Sequence, residues 1–480
     1  MEILPWWLLL FFTLAFIIYR AYINGYLLTT LYGIPFIGIK YPYIYGNCKE
    51  QLALEISKLY KKYPQPLIGF RLFFNSLAVI ISDLQLVELV LVKNFSSFQN
   101  RGLFHNEKID PLSGILGTVD YEQWKPMRRK LKPAFKSSTM KEIFPQLKNM
   151  CDSFVEHVNK ITYNGEQVID IVDTFSRFTT DAIEAIAFGK DCRESAERLR
   201  EMIAKAKQPY LKFTLNRIAI AFPNVARWLR IRKHPKEVSD FFVNFVSRIV
   251  EYRKTNDVQT NDFMQTLIDA DLEIAQIAAI AFDFLSAGYA DSSSTLAYYL
   301  YELAMNKSIQ DKARAEIRSI LDKNVLSYDV LQKLTYCNQI MKETERKYPV
   351  AGIGMRVATK PFNVPDTNIT IPRGMRVFIP IYAIHHDERY YPDPEVFDPD
   401  RFTDESRAQR PRYSFLPFGE GSRQCIGYKF AEMLIGIGIV SLLQNFEFSI
   451  CEQTQIPIEF NEYKNTLHPK NGVILKIRRI

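Results

Sequence analysis

One stretch constrains this chain more than any other: Phe415-Leu-Pro-Phe-Gly-Glu-Gly-Ser-Arg-Gln-Cys-Ile-Gly-Tyr-Lys-Phe430. It sets one cysteine, Cys425, behind a glycine-rich loop and before an apolar helical run, Phe430 to Leu443. A thiolate near a helix N-terminus is stabilised by the helix dipole and by free backbone N–H groups. Gly419, Gly421 and Gly427 let the backbone fold tightly around the sulfur. Phe418 can screen one side of it, and Arg423 adds positive charge. A buried structural cysteine beside a turn is the bland alternative. The pattern F-x-x-G-x-R-x-C-x-G, matched by Phe418, Gly421, Arg423, Cys425 and Gly427, is too long and specific for that alternative to be preferred.

Composition bounds the rest. The chain has 480 residues, 47% of them apolar and 24% charged, which excludes a disordered or fibrous protein. Only 20 residues are glycine, which leans towards helix. The six cysteines lie far apart and no two form C-x-x-C, which excludes a zinc ribbon or a dithiol redox motif. A chain this large builds its own core without disulfide staples, so the thiols read as reduced in a cytosol-facing body. The net charge of +8 is too diluted to argue for nucleic acid, but it suits an acidic protein partner or an anionic membrane surface.

The N-terminus reads as a membrane address. Ile3 to Tyr19 is uncharged, with Trp6 and Trp7 near its start and Arg20 after it. Such a run is at the lower edge of the ~17–25 residues that span a bilayer, and Arg20 places the body beyond it in the cytosol. The acidic Glu2 and the lack of a small-x-small site argue against a cleaved signal peptide. The expected organisation is therefore a signal-anchor over residues 1–25, a membrane-proximal linker over 26–45 and one large body over 46–480. Within the body, Leu67 to Asp83 predicts a hairpin, Trp124 to Lys323 is mostly helical, and Asn363 to Ile381 reverts to strands. Glu273 to Asn306 predicts a long apolar helix. The fold class is mainly α with small β-sheets.

The Cys425 loop resembles the haem-binding loop of cytochromes P450, a class with cysteine-thiolate ligation of haem iron. Three further pieces agree in order and spacing. Glu343-Thr-Glu-Arg346 is similar to the family's E-x-x-R pair, and Pro399-Asp-Arg401-Phe402 looks like its second arginine motif. Trp124-Lys-Pro-Met-Arg128 resembles its W-x-x-x-R helix. The resemblance implies one P450 fold with the long central helix over haem b, and Cys425 as axial ligand of the iron. It implies a buried network of Glu343, Arg346 and Arg401. It also makes Trp124, Arg128, Arg356 and Arg423 partners of the haem propionates, with Phe418 and Gly427 shaping the cofactor site. Electrons would come from NADPH through cytochrome P450 reductase, with cytochrome b5 as a second donor. The basic run Arg128 to Lys136, with Lys429, is the expected docking face. The stretches NRGLFHNEKIDPLSG, MRVATKPFNVP and YYPDPEVFDPDRF resemble insect microsomal members, which implies the endoplasmic reticulum membrane.

Other chemistry fails on spacing. His385-His386 are adjacent, point apart and have no third ligand spaced for zinc, so they read as satisfied loop histidines. Gly436-x-Gly438 lacks a third glycine and is not a dinucleotide fingerprint.

One segment departs from the family. Ala287-Gly288-Tyr289-Ala290-Asp291-Ser292 looks like the oxygen-activation segment, usually A-G-x-acid-Thr, but the acid position holds Ala290 and the Thr position holds Asp291. A shift of one residue turns a helical side chain by ~100°. Two functions stay open. One is a monooxygenase with Asp291 or Ser292 relaying protons. The other is an isomerase or dehydratase of an already oxidised lipid, or a non-oxygenating haem protein. The pocket is expected to draw on Gly102–Ser113, Tyr210–Phe222, Phe282–Asp291, Ala351–Met355 and Leu467–Gly472, whose apolar residues suit a lipophilic substrate.

Overall fold

The computed structural model describes residues 15, 27–36, 51–72, 76–163, 165–189, 196–206, 215, 218–258, 260, 262–462 and 466–480. The expected anchor, residues 1–25, lies outside them apart from Ala15. Among the described residues no helix is long and apolar enough to cross a membrane.

The central helix, Ile274–Met305, organises the body. It opens on a capping box, in which Gln276 Oε1 accepts from the Glu273 backbone N–H at 3.2 Å and the Glu273 side chain caps in return. No proline interrupts its 32 residues, so it runs about 48 Å. It is apolar on most faces because other helices surround it. Ile171–Phe188, Lys236–Thr255 and Tyr428–Asn445 all pack along it. At Gly438 a Cβ would come within 2.8 Å of Leu296, so this glycine serves helix packing, not nucleotide binding.

Among the described residues nine short strands lie to the side: β1 Leu67–Arg71, β2 Leu77–Ile81, β3 Gln167–Asp170, β4 Gly354–Val357, β5 Phe362–Asn363, β6 Thr370–Ile371, β7 Arg376–Ile379, β8 Phe446–Ser449 and β9 Ile474–Arg479. The main sheet has the order β1-β2-β7-β4. Its β1–β2 pair is the predicted hairpin, with Leu67 opposite Ile81, and β7 joins β2 in parallel. A second sheet, β3-β9-β8, ties the C-terminus to the helical core, and β5-β6 is a small ribbon. This is the mainly helical architecture with small sheets that the sequence implies.

One detail differs from expectation. Part of the 26–45 segment is not a bare linker, because its apolar and aromatic residues dock on the main sheet. Ile34 is fully buried, Phe36 bridges Gly69, and Gly69 N–H donates to the Pro35 carbonyl at 2.7 Å. Cys451 follows β8, and its N–H donates to Thr454 Oγ1 at 2.9 Å.

Candidate active site

Cys425 lies three residues before the helix Tyr428–Asn445, whose N-cap is Gly427. The loop is held by its own backbone. Cys425 N–H donates to the Phe418 carbonyl at 2.9 Å, and Gly419 N–H donates to the Leu416 carbonyl at 3.0 Å. Gly421 has φ +74°, and a Cβ there would meet the Leu91 carbonyl oxygen at 2.2 Å, so only glycine fits. The ring of Phe418 lies 6.1 Å from that of Tyr428, and the Gly427 Cα faces Phe135.

The Cys425 thiol is open at its surface, yet burial pushes its pKa above the ordinary range. The Gly427 N–H and the charges of Arg101 and Arg128 pull it back, while Asp291 adds to the rise. Arg101, Lys233 and Asp283 are half-buried, and their shifts too are set first by desolvation. Side chains that are open and desolvated at once line an internal cleft. Asp283 is pushed up to about 6 by burial, against the pull of Lys233 and Arg101. The cleft wall therefore carries charge as well as the expected apolar residues. Of the expected lining, residues 210–214, 216 and 217 lie outside the described residues.

Four guanidinium groups gather at one side of the cleft. Arg423 donates to the carbonyls of Gln99, Leu116 and Val119 at 3.0, 3.2 and 3.2 Å. It lies 4.3 Å from the Trp124 ring, with Arg128 5.7 Å from the same ring. Arg101 donates to the Arg423 carbonyl at 2.9 Å. Arg356, on β4, donates to the Met355 carbonyl and keeps a buried Nε with no partner. Desolvation and the neighbouring guanidiniums bring Arg356 and Arg423 down to about 9. Among the described residues none of the four makes an ion pair. A cationic cluster whose members make no ion pair, with one buried donor orphaned, fits a ligand carrying carboxylates. Together with an open cysteine on the same cleft, it fits haem b and its two propionates.

Arg101 is the member of this cluster that sequence reasoning missed. It lies in a loop without periodicity, about three hundred residues before Cys425, and no spacing rule connects the two. His468 was missed for the same reason. Its Nε2 is 3.3 Å from Asp291 Oδ1 and its Nδ1 is 2.7 Å from Ser294 Oγ. Asp291 stands on the central helix with its side chain 46% exposed. Ser292 is buried, and the hydroxyl joined to Asp291 through His468 is that of Ser294.

Glu343, Arg346 and Arg401 come together behind the cysteine loop. Arg346 holds Glu343 through two bonds of 2.7 and 2.8 Å, and Arg401 Nε lies 3.5 Å from Glu343 Oε1. His385 is satisfied by the Arg346 carbonyl on Nδ1 and the Leu416 N–H on Nε2, at 3.2 and 2.8 Å.

A helical body with small sheets, and a cysteine loop facing a long helix across a cleft, already define a class of haem-thiolate protein. The chain belongs to the cytochrome P450 family, whose profile matches residues 30–476. It is similar to probable cytochrome P450 6a23 of Drosophila melanogaster, with 37% identity over 463 residues, 91% of this chain and 92% of that protein. It is 35% identical to cytochrome P450 6A1 of Musca domestica over 457 residues, 90% of this chain and 89% of the relative. Cytochrome P450 6a2 of Drosophila melanogaster gives 35% over 446 residues, 88% of each. The protein is thus an enzyme of the haem monooxygenase class.

Proposed function

We propose that this protein is a haem-thiolate monooxygenase that inserts one oxygen atom of O2 into a lipophilic small molecule, with electrons from NADPH delivered by cytochrome P450 reductase. The observation that carries the reading is Cys425, open to a cleft beside four guanidinium groups that make no ion pair among the described residues. In this reading Cys425 Sγ would ligate the iron. Arg101, Arg128, Arg356, Arg423 and Trp124 would hold the propionates, and Phe418 and Gly427 would shape the sulfur side. The bound haem supplies oxygen activation and one-electron chemistry. The chain supplies orientation, exclusion of water and a proton. Asp291 is the carboxyl of the distal segment and the group through which that proton would pass. Asp283 and Lys233 give the otherwise apolar cleft a polar end, which favours a substrate with one polar group on a lipophilic body.

Electron delivery needs a docking face. Lys132 and Lys136 are exposed near the sulfur side of the site, and Lys429 Nζ is tied to Ser137 Oγ at 2.8 Å. The double variant Lys132→Glu with Lys136→Glu should slow reductase-driven reduction by about tenfold at low salt, with the haem spectrum unchanged. Stopped-flow reduction with purified reductase measures this. Unchanged rates across ionic strengths would exclude this face. The same assay, followed as NADPH consumption and product formation, tests the function. A protein that consumes no NADPH yet converts a hydroperoxide or endoperoxide directly would instead be an isomerase or dehydratase, the reading that Ala290-Asp291 also permits.

The uncharged run Ile3–Tyr19 supports a reading in which the enzyme is held on the endoplasmic reticulum with its body in the cytosol. Deleting residues 2–25 should move most of the protein from the pelleted membrane fraction to the soluble one, with haem content kept. Loss of haem from a folded, soluble product would contradict a separate anchor.

A further inference from the structure

The distal segment carries a side-chain arrangement that its own helix does not complete. Asp291 and Ser294 are three residues apart, so they share a helical face. A single imidazole, that of His468 from the C-terminal loop, spans both. The loop is pinned on either side of it. Leu467 N–H donates to the Val350 carbonyl at 2.8 Å, Tyr298 Oη donates to the Leu467 carbonyl at 3.0 Å, and Asn461 N–H donates to the His468 carbonyl at 2.9 Å. His468 is 5% exposed, so its ring has no room to swing away.

We propose that His468 is a positioning residue for proton delivery: it orients the Asp291 carboxyl where the usual acid and threonine positions hold Ala290 and Asp291. The proposal rests on the monooxygenase reading.

The donor and acceptor atoms set the chemistry. A neutral imidazole has one N–H and one acceptor nitrogen. With the ring proton on Nε2, that N–H faces Asp291 Oδ1 at ion-pair distance and Nδ1 accepts from the Ser294 hydroxyl. With both nitrogens protonated, the Ser294 hydroxyl turns to accept and the ring cation faces the carboxylate. In both arrangements an N–H points at Asp291 Oδ1 while Ser294 anchors the other side of the ring. With Oδ1 tethered, Oδ2 is the oxygen left to carry the proton. Asp291 gives that proton to the cleft and regains one from cleft water, and His468 ends each cycle with the protons it began with. Ala290 offers no second carboxyl. Asp283, about two turns earlier on the helix, belongs to the polar end of the cleft with Lys233 and Arg101. The Ser–His–Asp composition does not make a hydrolase, because Ser294 is 1% exposed and cannot reach a substrate.

The test uses the haem-loaded full chain and four variants: Asp291→Asn, His468→Leu, His468→Gln and the double Asp291→Asn with His468→Leu. Two readouts are taken. One is the infrared C–O stretch of the reduced carbon monoxide adduct, which senses polar groups in the distal cleft without turnover. The other is the ratio of product to NADPH consumed. His468→Leu should shift the stretch and lower the ratio on the order of tenfold, with peroxide released instead. Asp291→Asn should do at least as much, and the double variant should add nothing beyond it, since neighbours in one network are not additive. His468→Gln keeps an N–H donor and should restore most of both readouts. A His468→Leu protein with the wild-type stretch and ratio would overturn the proposal, as would full additivity in the double variant. If the native chain never consumes NADPH, the monooxygenase reading falls, and the infrared arm still decides whether His468 and Asp291 act as one unit.

Discussion

Cys425→Ser should fold, and it should lose the red-shifted absorption that a thiolate gives the carbon monoxide adduct of reduced haem. Turnover should fall on the order of a thousandfold or more. The loop is built from backbone bonds between Cys425 and Phe418 and between Gly419 and Leu416, and none of them uses the sulfur. Serine keeps that frame. The substitution removes the soft, electron-donating ligand, and a neutral hydroxyl does not replace a thiolate in pushing charge towards bound oxygen. No other described thiol can take the place. Cys151 and Cys337 are buried, and burial pushes Cys151 up to about 12 and Cys337 well above its usual range. Cys451 turns its sulfur to Thr454 beyond β8. Circular dichroism checks the fold, and the difference spectrum checks the ligand. A folded variant with the native spectrum would remove Cys425 from the site.

The features legible in the sequence are local ones. The cysteine loop, the 32-residue helix and the Glu343–Arg346 pair each lie within one element, where glycine spacing, helical periodicity and an i,i+3 relation carry the information. The four-stranded sheet was legible only in part. Its hairpin is local, whereas the parallel β2–β7 pairing joins segments about three hundred residues apart. Long separation also hid Arg101, over three hundred residues from the cysteine loop, and His468, over 170 residues from the central helix it meets. Each belongs to a loop with no period of its own and reaches the cleft only after the chain has folded. Asp291 was found by its misplacement in a known pattern, but its partner had to come from the other end of the body. The docking of residues 32–36 was missed because Gly33 and Pro35 read as a linker. Those residues also suit a short extended segment pressed on a sheet edge.

Arg346→Ala should prevent accumulation of haem-bound protein altogether. Both partners of the Arg346–Glu343 pair are fully buried. Removing the guanidinium leaves Glu343 without its main partner and strips donors from the carbonyls of His385 and Pro394, which it holds at 3.0 and 2.8 Å. Breaking a buried pair from one side costs about 3–5 kcal/mol, against a typical total stability of about 5–15 kcal/mol. Burial already holds the Glu343 pKa above the carboxylate range in spite of Arg346 and Arg401, so the pair contributes alignment more than net stability. That alignment reaches the site. The Arg346 carbonyl orients His385, and His385 Nε2 accepts from Leu416 N–H at the start of the cysteine loop. Arg346→Lys should fail nearly as badly, because one ammonium cannot reproduce a planar two-bond grip. Arg401→Ala should cost only about 1 kcal/mol, since Arg401 lies at 3.5 Å and Glu343 keeps its bidentate partner. Haem content per folded chain and thermal unfolding of the three variants measure this order. An Arg346→Ala protein with native haem content and a Tm within about 2 °C of the parent would show that the network is decoration on a fold set elsewhere.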